Sequence, residues 1–216
     1  MNLEDTSSVA FMGEVTAGYT HEIRNILSII AESVGLMQDI LSMDRERMLQ
    51  YLEKLQSSLD KVGKQLERGE ALSTHLNRLA HAPDREHGQV DLEEAAQTMV
   101  ALSQRFAKRR QLQLNHLPAE RKVHIETRPV VVMMLIYSLI QAALQGAPKG
   151  TRLDVQAGLP DHRGRLVILC ANHIAPADFH AAIPAEAWEA LEALCRSVQA
   201  EAKQLAEEPG IEVLFP

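Results

Sequence analysis

The chain has 216 residues and a mass of 24.0 kDa, enough for one large domain or two small ones around a buried core. A composition of 46 % hydrophobic and 24 % charged residues excludes a disordered or fibrous chain. A net charge of −7 and a pI near 5.7 argue against a nucleic-acid binder, whose phosphate contacts need clustered Lys and Arg. With only two cysteines, Cys170 and Cys195, the chain is neither a disulfide scaffold nor a multi-cysteine zinc fold. The opening MNLEDTSSVAFMGE is acidic and lacks a cleavable apolar segment, and the longest apolar stretch, Val130 to Tyr137, is too short to span a bilayer. These features predict a reducing, cytoplasmic setting with no membrane partner.

All nine prolines lie after residue 80, so the first eighty residues hold no obligate helix breaker. Apolar residues recur there at Met12, Val15, Tyr19, Ile23, Ile26, Ile30, Val34, Met37 and Leu41, a helical stripe with gaps of 3 and 4. A second stripe runs through Leu52, Leu55, Leu59, Val62 and Leu66, then Leu72, Leu76 and Leu79, with a tight reversal at Leu41-Ser42-Met43-Asp44. Two helices of roughly 35 residues, each about 50 Å long, follow from this pattern. An isolated hairpin leaves apolar surface in water. A second copy would complete a four-helix bundle, which predicts a homodimer; the alternative is packing on the C-terminal half of the same chain.

His81 to Gly88 reads as a linker. Asp91 and Glu94 form a capping box that opens a helix to about Arg110. Gln111–Leu117 and Lys122–Glu126 alternate like strands, and Thr127 is placed to cap a buried helix reaching about Gln145. Arg152–Ala157 and Arg165–Ala171 read as a hairpin. A helix from Ala185 to about Ala206 and an edge strand, Ile211–Phe215, close the chain. The fold class expected is α+β: a helical hairpin over 1–82 forming a dimeric four-helix bundle, a linker at 83–89, and a small α/β sandwich over 90–216.

The chemistry-bearing segment runs from Gly13 to Ser28. His21 lies about 160° around the helix from both Tyr19 and Ile23, so it points out of the bundle. Glu14, Gly18, His21, Asn25, Ser28 and Glu32 form a polar stripe at gaps of 3 and 4. Neutral imidazole is a good nucleophile near pH 7, and a neighbouring carboxylate can orient it or take its proton. Gly18, one turn before His21, leaves room for a bulky partner group. A surface His beside a Glu is by itself usually no more than a solvated pair.

His21-Glu22-Ile23-Arg24-Asn25 followed by Leu27 resembles the phosphoacceptor box of bacterial two-component sensor histidine kinases, with Ile26 where that family usually has proline. The box sits mid-way along the first helix of a hairpin, as in the family. Val90-Asp-Leu-Glu-Glu, Met133–Gly150 and Pro209–Pro216 resemble the opening helix, the asparagine-box helix and the last strand of its ATP-binding domain. The likeness spans nearly the whole chain, but only the histidine box is specific.

The departures from that family lie at its nucleotide site. Gln141 stands about where the family carries a magnesium-holding asparagine, with Tyr137 and Ser138 near the preceding one. Leu169-Cys-Ala-Asn-His-Ile-Ala-Pro176, including Asn172, replaces its Asp-x-Gly-x-Gly loop. No glycine-rich phosphate cradle is present. The resemblance therefore implies a histidine phosphotransfer protein of a phosphorelay, without ATP binding and with no cofactor or metal of its own, Mg²⁺ arriving with the receiver partner. His21 would carry the phosphoryl group between receiver-domain aspartates, Glu22 would orient the imidazole and Asn25 would line the docking face. The alternatives are an ATP-dependent kinase, a receiver phosphatase in which Glu22 and Asn25 position water, and a non-catalytic dimeric scaffold. Elsewhere, His75, His81 and His87 are spaced wrongly for a metal site, and Cys170 and Cys195 read as core. Arg105, Lys108, Arg109 and Arg110 form a basic run suited to a helix C-terminus or to docking an acidic partner.

Overall fold

The unbroken apolar stripe produces one long helix, α1 (Leu3–Leu41), in the computed structural model, which describes residues 3–160, 163–171 and 174–216. The chain reverses at Ser42–Asp44, where the Asp44 carboxylate accepts the Arg47 N–H at 3.0 Å and caps α2 (Arg45–Gln50). The returning rod is not a single helix. At Tyr51 the backbone leaves helical geometry (φ −110°, ψ 11°), its N–H bonds Met48 O at 3.0 Å, and α3 (Leu52–His81) starts anew. Tyr19 Oη and Ser73 Oγ, 3.0 Å apart, tie α1 to α3.

The apolar stripe of this hairpin divides in two. Phe11, Val15 and Ile26 of α1 and Leu72 and Leu79 of α3 belong to one continuous core with the C-terminal half. Further out, Leu27, Val34 and Leu41 on α1 and Leu52, Leu59 and Leu66 on α3 are exposed, each set at seven-residue spacing. The proximal stripe thus packs on the same chain, and the distal stripe is left uncovered by it.

After a 3₁₀ turn (Ala82–Asp84), β1 (Gly88–Asp91) occupies the end of the segment expected to be a linker; it pairs antiparallel with β3 (His124–Thr127). Between them come α4 (Leu92–Arg109), capped by Asp91 through the Glu93 and Glu94 N–H groups, and β2 (Gln113–Leu117). Thr127 ends β3 and does not cap the next helix. Arg128 holds that position, and Pro129 at the first turn starts α5 (Pro129–Gly146), where its missing N–H costs nothing. The crossover through β3 and α5 brings β4 (Arg152–Gly158) parallel to β2. β5 (Arg165–Cys170) then pairs antiparallel with β4.

The remainder departs most from expectation. A short α6 (Pro176–Ala181) precedes α7 (Ala185–Ser197), which stops well before Ala206. Gln199 takes the left-handed conformation (φ 56°), and the Ala200 N–H returns to Cys195 O at 2.9 Å, ending the helix without the glycine that usually signals it. β6 (Glu201–Gln204) follows and hairpins onto β7 (Gly210–Leu214). The sheet order is β2-β4-β5-β7-β6, so the last strand is internal and β6 is the edge. Gly210 is required here, because a Cβ would approach Ile168 O to 2.6 Å.

Leu153, Val155 and Ala157 of β4 alternate inward with Leu166, Ile168 and Cys170 of β5 and Ile211 and Val213 of β7, under the helices. The opposite face is more polar: Asp154 accepts from Asn115 at 3.2 Å and Arg152 at 3.0 Å, and Arg165 meets Glu212 at 2.5 Å. α5 is enclosed on all sides and is apolar nearly all round. Among the described residues it is the one helix long and apolar enough to cross a membrane, and most of it is buried inside the fold.

Phe179 of α6 is fully buried against the end of α5. A Cβ on Gly146 would meet Phe179 O at 2.8 Å and Ile183 Cγ1 at 3.0 Å. Gly146→Ala is therefore expected to cost about 1–3 kcal/mol, because a backbone carbonyl cannot turn aside as a side chain does. Urea unfolding measures this, and an unchanged midpoint would contradict the close packing of α6 on α5.

Candidate functional site

At 100° per residue, Ala17, His21, Asn25, Gly18 and Glu22 fall in that order across an arc of about 140° on α1. His21 and Asn25 are exposed, one turn apart on the same face, and Ser28 and Glu32 continue the exposed row. Among the described residues no hydrogen bond or ion pair engages the His21 ring, which leaves both its nitrogens open to a reacting group.

Glu22 does not attend His21 in this arrangement. Its side chain is 13 % exposed and turns toward α3 and α4, where it pairs with Arg68 and stands 3.5 Å from Lys108 Nζ. A buried carboxylate requires compensating charge, and two cations here outcompete a surface imidazole. Gly18 also departs from expectation. It is buried, with Phe106 lying 3.5 Å from where its Cβ would be, so it admits α4 and not an incoming partner. Arg105 Nη1 donates to Ala17 O at 3.3 Å. Lys108 has its pKa lowered, chiefly by burial and then by Arg68.

The basic run therefore splits by role. Arg105 and Lys108 flank the histidine face, while Arg110 Nη1 bonds Leu144 O at 3.2 Å and fastens α4 to α5. Arg68 escaped sequence reading because nothing local distinguishes it from the other charged residues of α3; only the fold brings it to Glu22.

A cleft of about 340 Å³ opens beside Glu22, lined by Arg68, His75, Gln97, Gln104 and His116 and floored by Leu72 and Val100. His75 Nδ1 and Thr98 Oγ1 are 3.2 Å apart, and His116 Nε2 is 3.2 Å from Glu93. His81 pairs with Asp84 at 2.7 Å, apart from His75. Gln141 is half-buried on α5, and Asn172 lies outside the described residues. Cys170 and Cys195 are both buried, and burial pushes the Cys195 thiol up to about 12.

No family model and no curated protein matches this sequence. Its neighbours among solved structures are histidine kinase domains. The Acinetobacter baumannii histidine kinase AdeS aligns at 11 % identity over 90 % of this chain and 96 % of its own, with a TM-score of 0.46. The histidine kinase domain of a blue-light-activated histidine kinase from Erythrobacter litoralis aligns at 12 % identity over 91 % and 95 %, with a TM-score of 0.47. A mycobacterial sensor histidine kinase, MprB, aligns at 15 % identity over 60 % and 97 %, with a TM-score of 0.46. At such identities and scores, function has to be read from the chain's own residues.

His75 provides a test of the junction beside the site. Its pKa is lowered from 6.5, first by burial and then by Arg78, with Glu94 opposing. The folded state therefore binds this proton less readily than the unfolded state does. The stability His75 contributes is present above pH 6.5 and is lost as pH falls below it toward the lowered folded value. His75→Gln is expected to flatten the decline in melting temperature between pH 7 and 5.5. A decline of unchanged slope would show that His75 titrates freely.

Proposed function

We propose that this chain is a two-component signalling protein that carries phosphoryl groups on His21 between receiver-domain aspartates, acting as a cytoplasmic homodimer. The observation that carries the reading is the exposed, unengaged His21 of the His-Glu-Ile-Arg-Asn box, held on a helix that shares its core with the rest of the chain. In the forward step an imidazole nitrogen lone pair forms a P–N bond while the P–O bond to the donor aspartate breaks. The electron pair stays on the departing carboxylate, and the imidazole's other proton passes to water.

Two features support transfer over autophosphorylation. The Asp-x-Gly-x-Gly loop is absent, and the end of α5, where an asparagine-box helix would border a nucleotide, is closed by Phe179 and Ile183. Mg²⁺ would come with the receiver. The phosphatase reading is kept as the second reading, because Asn25 is exposed one turn from His21, where its amide could position a water for a partner's aspartyl phosphate.

Dimerisation through the distal arm is supported by Leu27, Val34 and Leu41 facing solvent alongside Leu52, Leu59 and Leu66, a seven-residue repeat suited to helix-on-helix packing. Leu59→Glu together with Val34→Glu is expected to give a monomer in sedimentation, because each charge would be buried at the contact. A wild-type chain that sediments as a monomer would refute the dimer.

For the reaction, wild type, His21→Gln and Asn25→Ala are incubated with phosphorylated receivers, and acid-labile, base-stable phosphate is followed on this chain. His21→Gln should accept none while keeping its fold, since surface changes cost little stability. Asn25→Ala should retain transfer at a reduced rate. If Asn25→Ala stops receiver hydrolysis and spares transfer, the phosphatase reading holds. Label on His21 from ATP and Mg²⁺ alone would make the chain a kinase. Receivers that respond identically to wild type and His21→Gln would leave it a scaffold.

A further inference from the structure

The arc of α1 that presents His21 is bracketed on both edges by cations from α4. On one edge, Arg105 Nη1 donates to Ala17 O at 3.3 Å, the carbonyl that in an α-helix takes the N–H of His21 itself. On the other edge, three residues along α4, Lys108 Nζ stands 3.5 Å from Glu22, the residue next to His21. Between them Phe106 rests on Gly18 and holds α4 against this face. Arg68 also pairs with Glu22, so two cations meet this carboxylate and a third, Arg105, sits on the Ala17 carbonyl. On a chain of net charge −7, this is a local positive surplus at the one unengaged histidine of the phosphoacceptor-like box.

We propose that Lys108, assisted by Arg105, is the phosphoryl-binding cradle of His21, a role that rests on the transfer reading above. As the P–N bond to His21 forms and the bond to the donor breaks, the three phosphoryl oxygens carry negative charge beside Lys108. The Lys108 ammonium leaves Glu22 for these oxygens, and Glu22 keeps Arg68 as its partner. Lys108 is suited to the exchange: its side chain is 57 % exposed and its contact with Glu22 is the longer of the two. A charge-assisted bond to a phosphoryl oxygen replaces this long contact, and Arg68 continues to neutralise the buried Glu22. Arg105 is held by a backbone carbonyl and so supplies fixed positive potential.

The test uses the full chain and phosphoramidate, a small donor that transfers its phosphoryl group with loss of ammonia, beside a phosphorylated receiver. Phosphohistidine is followed by ³¹P NMR in wild type, His21→Gln, Lys108→Met and Lys108→Arg, with melting curves to confirm the fold. Wild type should gain label and His21→Gln none. Lys108→Met should load about tenfold more slowly, as expected for loss of one charge-assisted contact, and Lys108→Arg should recover most of the rate. Raised ionic strength should slow wild type far more than Lys108→Met. If Lys108→Met melts early, Lys108→Gln replaces it, and the wild-type salt dependence decides alone: a salt-independent loading rate overturns the cradle. Labelled wild type with Lys108→Met loading equally fast overturns the cradle and leaves the transfer reading standing. Wild type unlabelled by both donors overturns both.

Discussion

The packing of three aromatic rings fixes the geometry on which the rest depends. Phe11 of α1 and Tyr137 of α5 lie with centroids 5.3 Å apart at 59°, and Phe106 of α4 meets the same Tyr137 at 5.8 Å and 74°. Tilted and edge-on contacts of this kind suit the ring quadrupoles and add to the apolar area buried. One tyrosine thereby joins the hairpin to two helices of the other half. Gly18 lies at this contact, and a Cβ there would just touch the Phe106 ring at 3.5 Å. Burial, and secondarily the Glu14 carboxylate, push the Tyr137 hydroxyl well above its ordinary range, so the joint holds a neutral group at every physiological pH.

Once α1 is pinned at Phe11, Val15 and Gly18, its rotation is set, and the fates of His21 and Glu22 separate. One hundred degrees of helix place the first in water and the second in the crevice between α3 and α4. That separation explains why the carboxylate expected to serve the imidazole serves Arg68 and Lys108 instead. An ion pair so placed is worth little for stability where its partners are solvated, but it holds Lys108 of α4 and Arg68 of α3 at the edge of the His21 face.

The hairpin and its turn were legible because the stripe from Met12 to Leu41 has one period and no breaker, and Asp44 and Asp91 are strong caps. The β4–β5 pairing was equally plain from alternation. The C-terminal third was not. Gln199 ends α7 in a conformation the sequence does not advertise, and an apparent helical stretch to Ala206 contains β6, whose pairing with β7 is a long-range fact. Gly88 and Gln89 looked like linker because a four-residue strand gives alternation no room to show. At the site, His21 and Asn25 were placed correctly in water from periodicity alone. The partners of Glu22 were out of reach, since Arg68 and Lys108 lie 46 and 86 residues away along the chain.

The shared core also sets the cost of separating the two halves of the chain. For a group bound in the second half to be carried to the imidazole, the halves would have to part at Phe11, Val15, Leu72, Leu79 and Phe106. Exposing five such side chains costs on the order of 10 kcal/mol, taking about 2 kcal/mol for each. An opening of that cost is populated far too rarely to sit on a signalling pathway unless bound ligand repays it by binding the open form better. α6 is seated on the end of α5, with Phe179 and Ile183 against Gly146. The His21 imidazole, by contrast, is exposed, and among the described residues it has no hydrogen bond to break first. Under the transfer reading proposed above, delivery by a partner that docks on the exposed face of α1 needs no such opening, so the shared core can stay closed throughout.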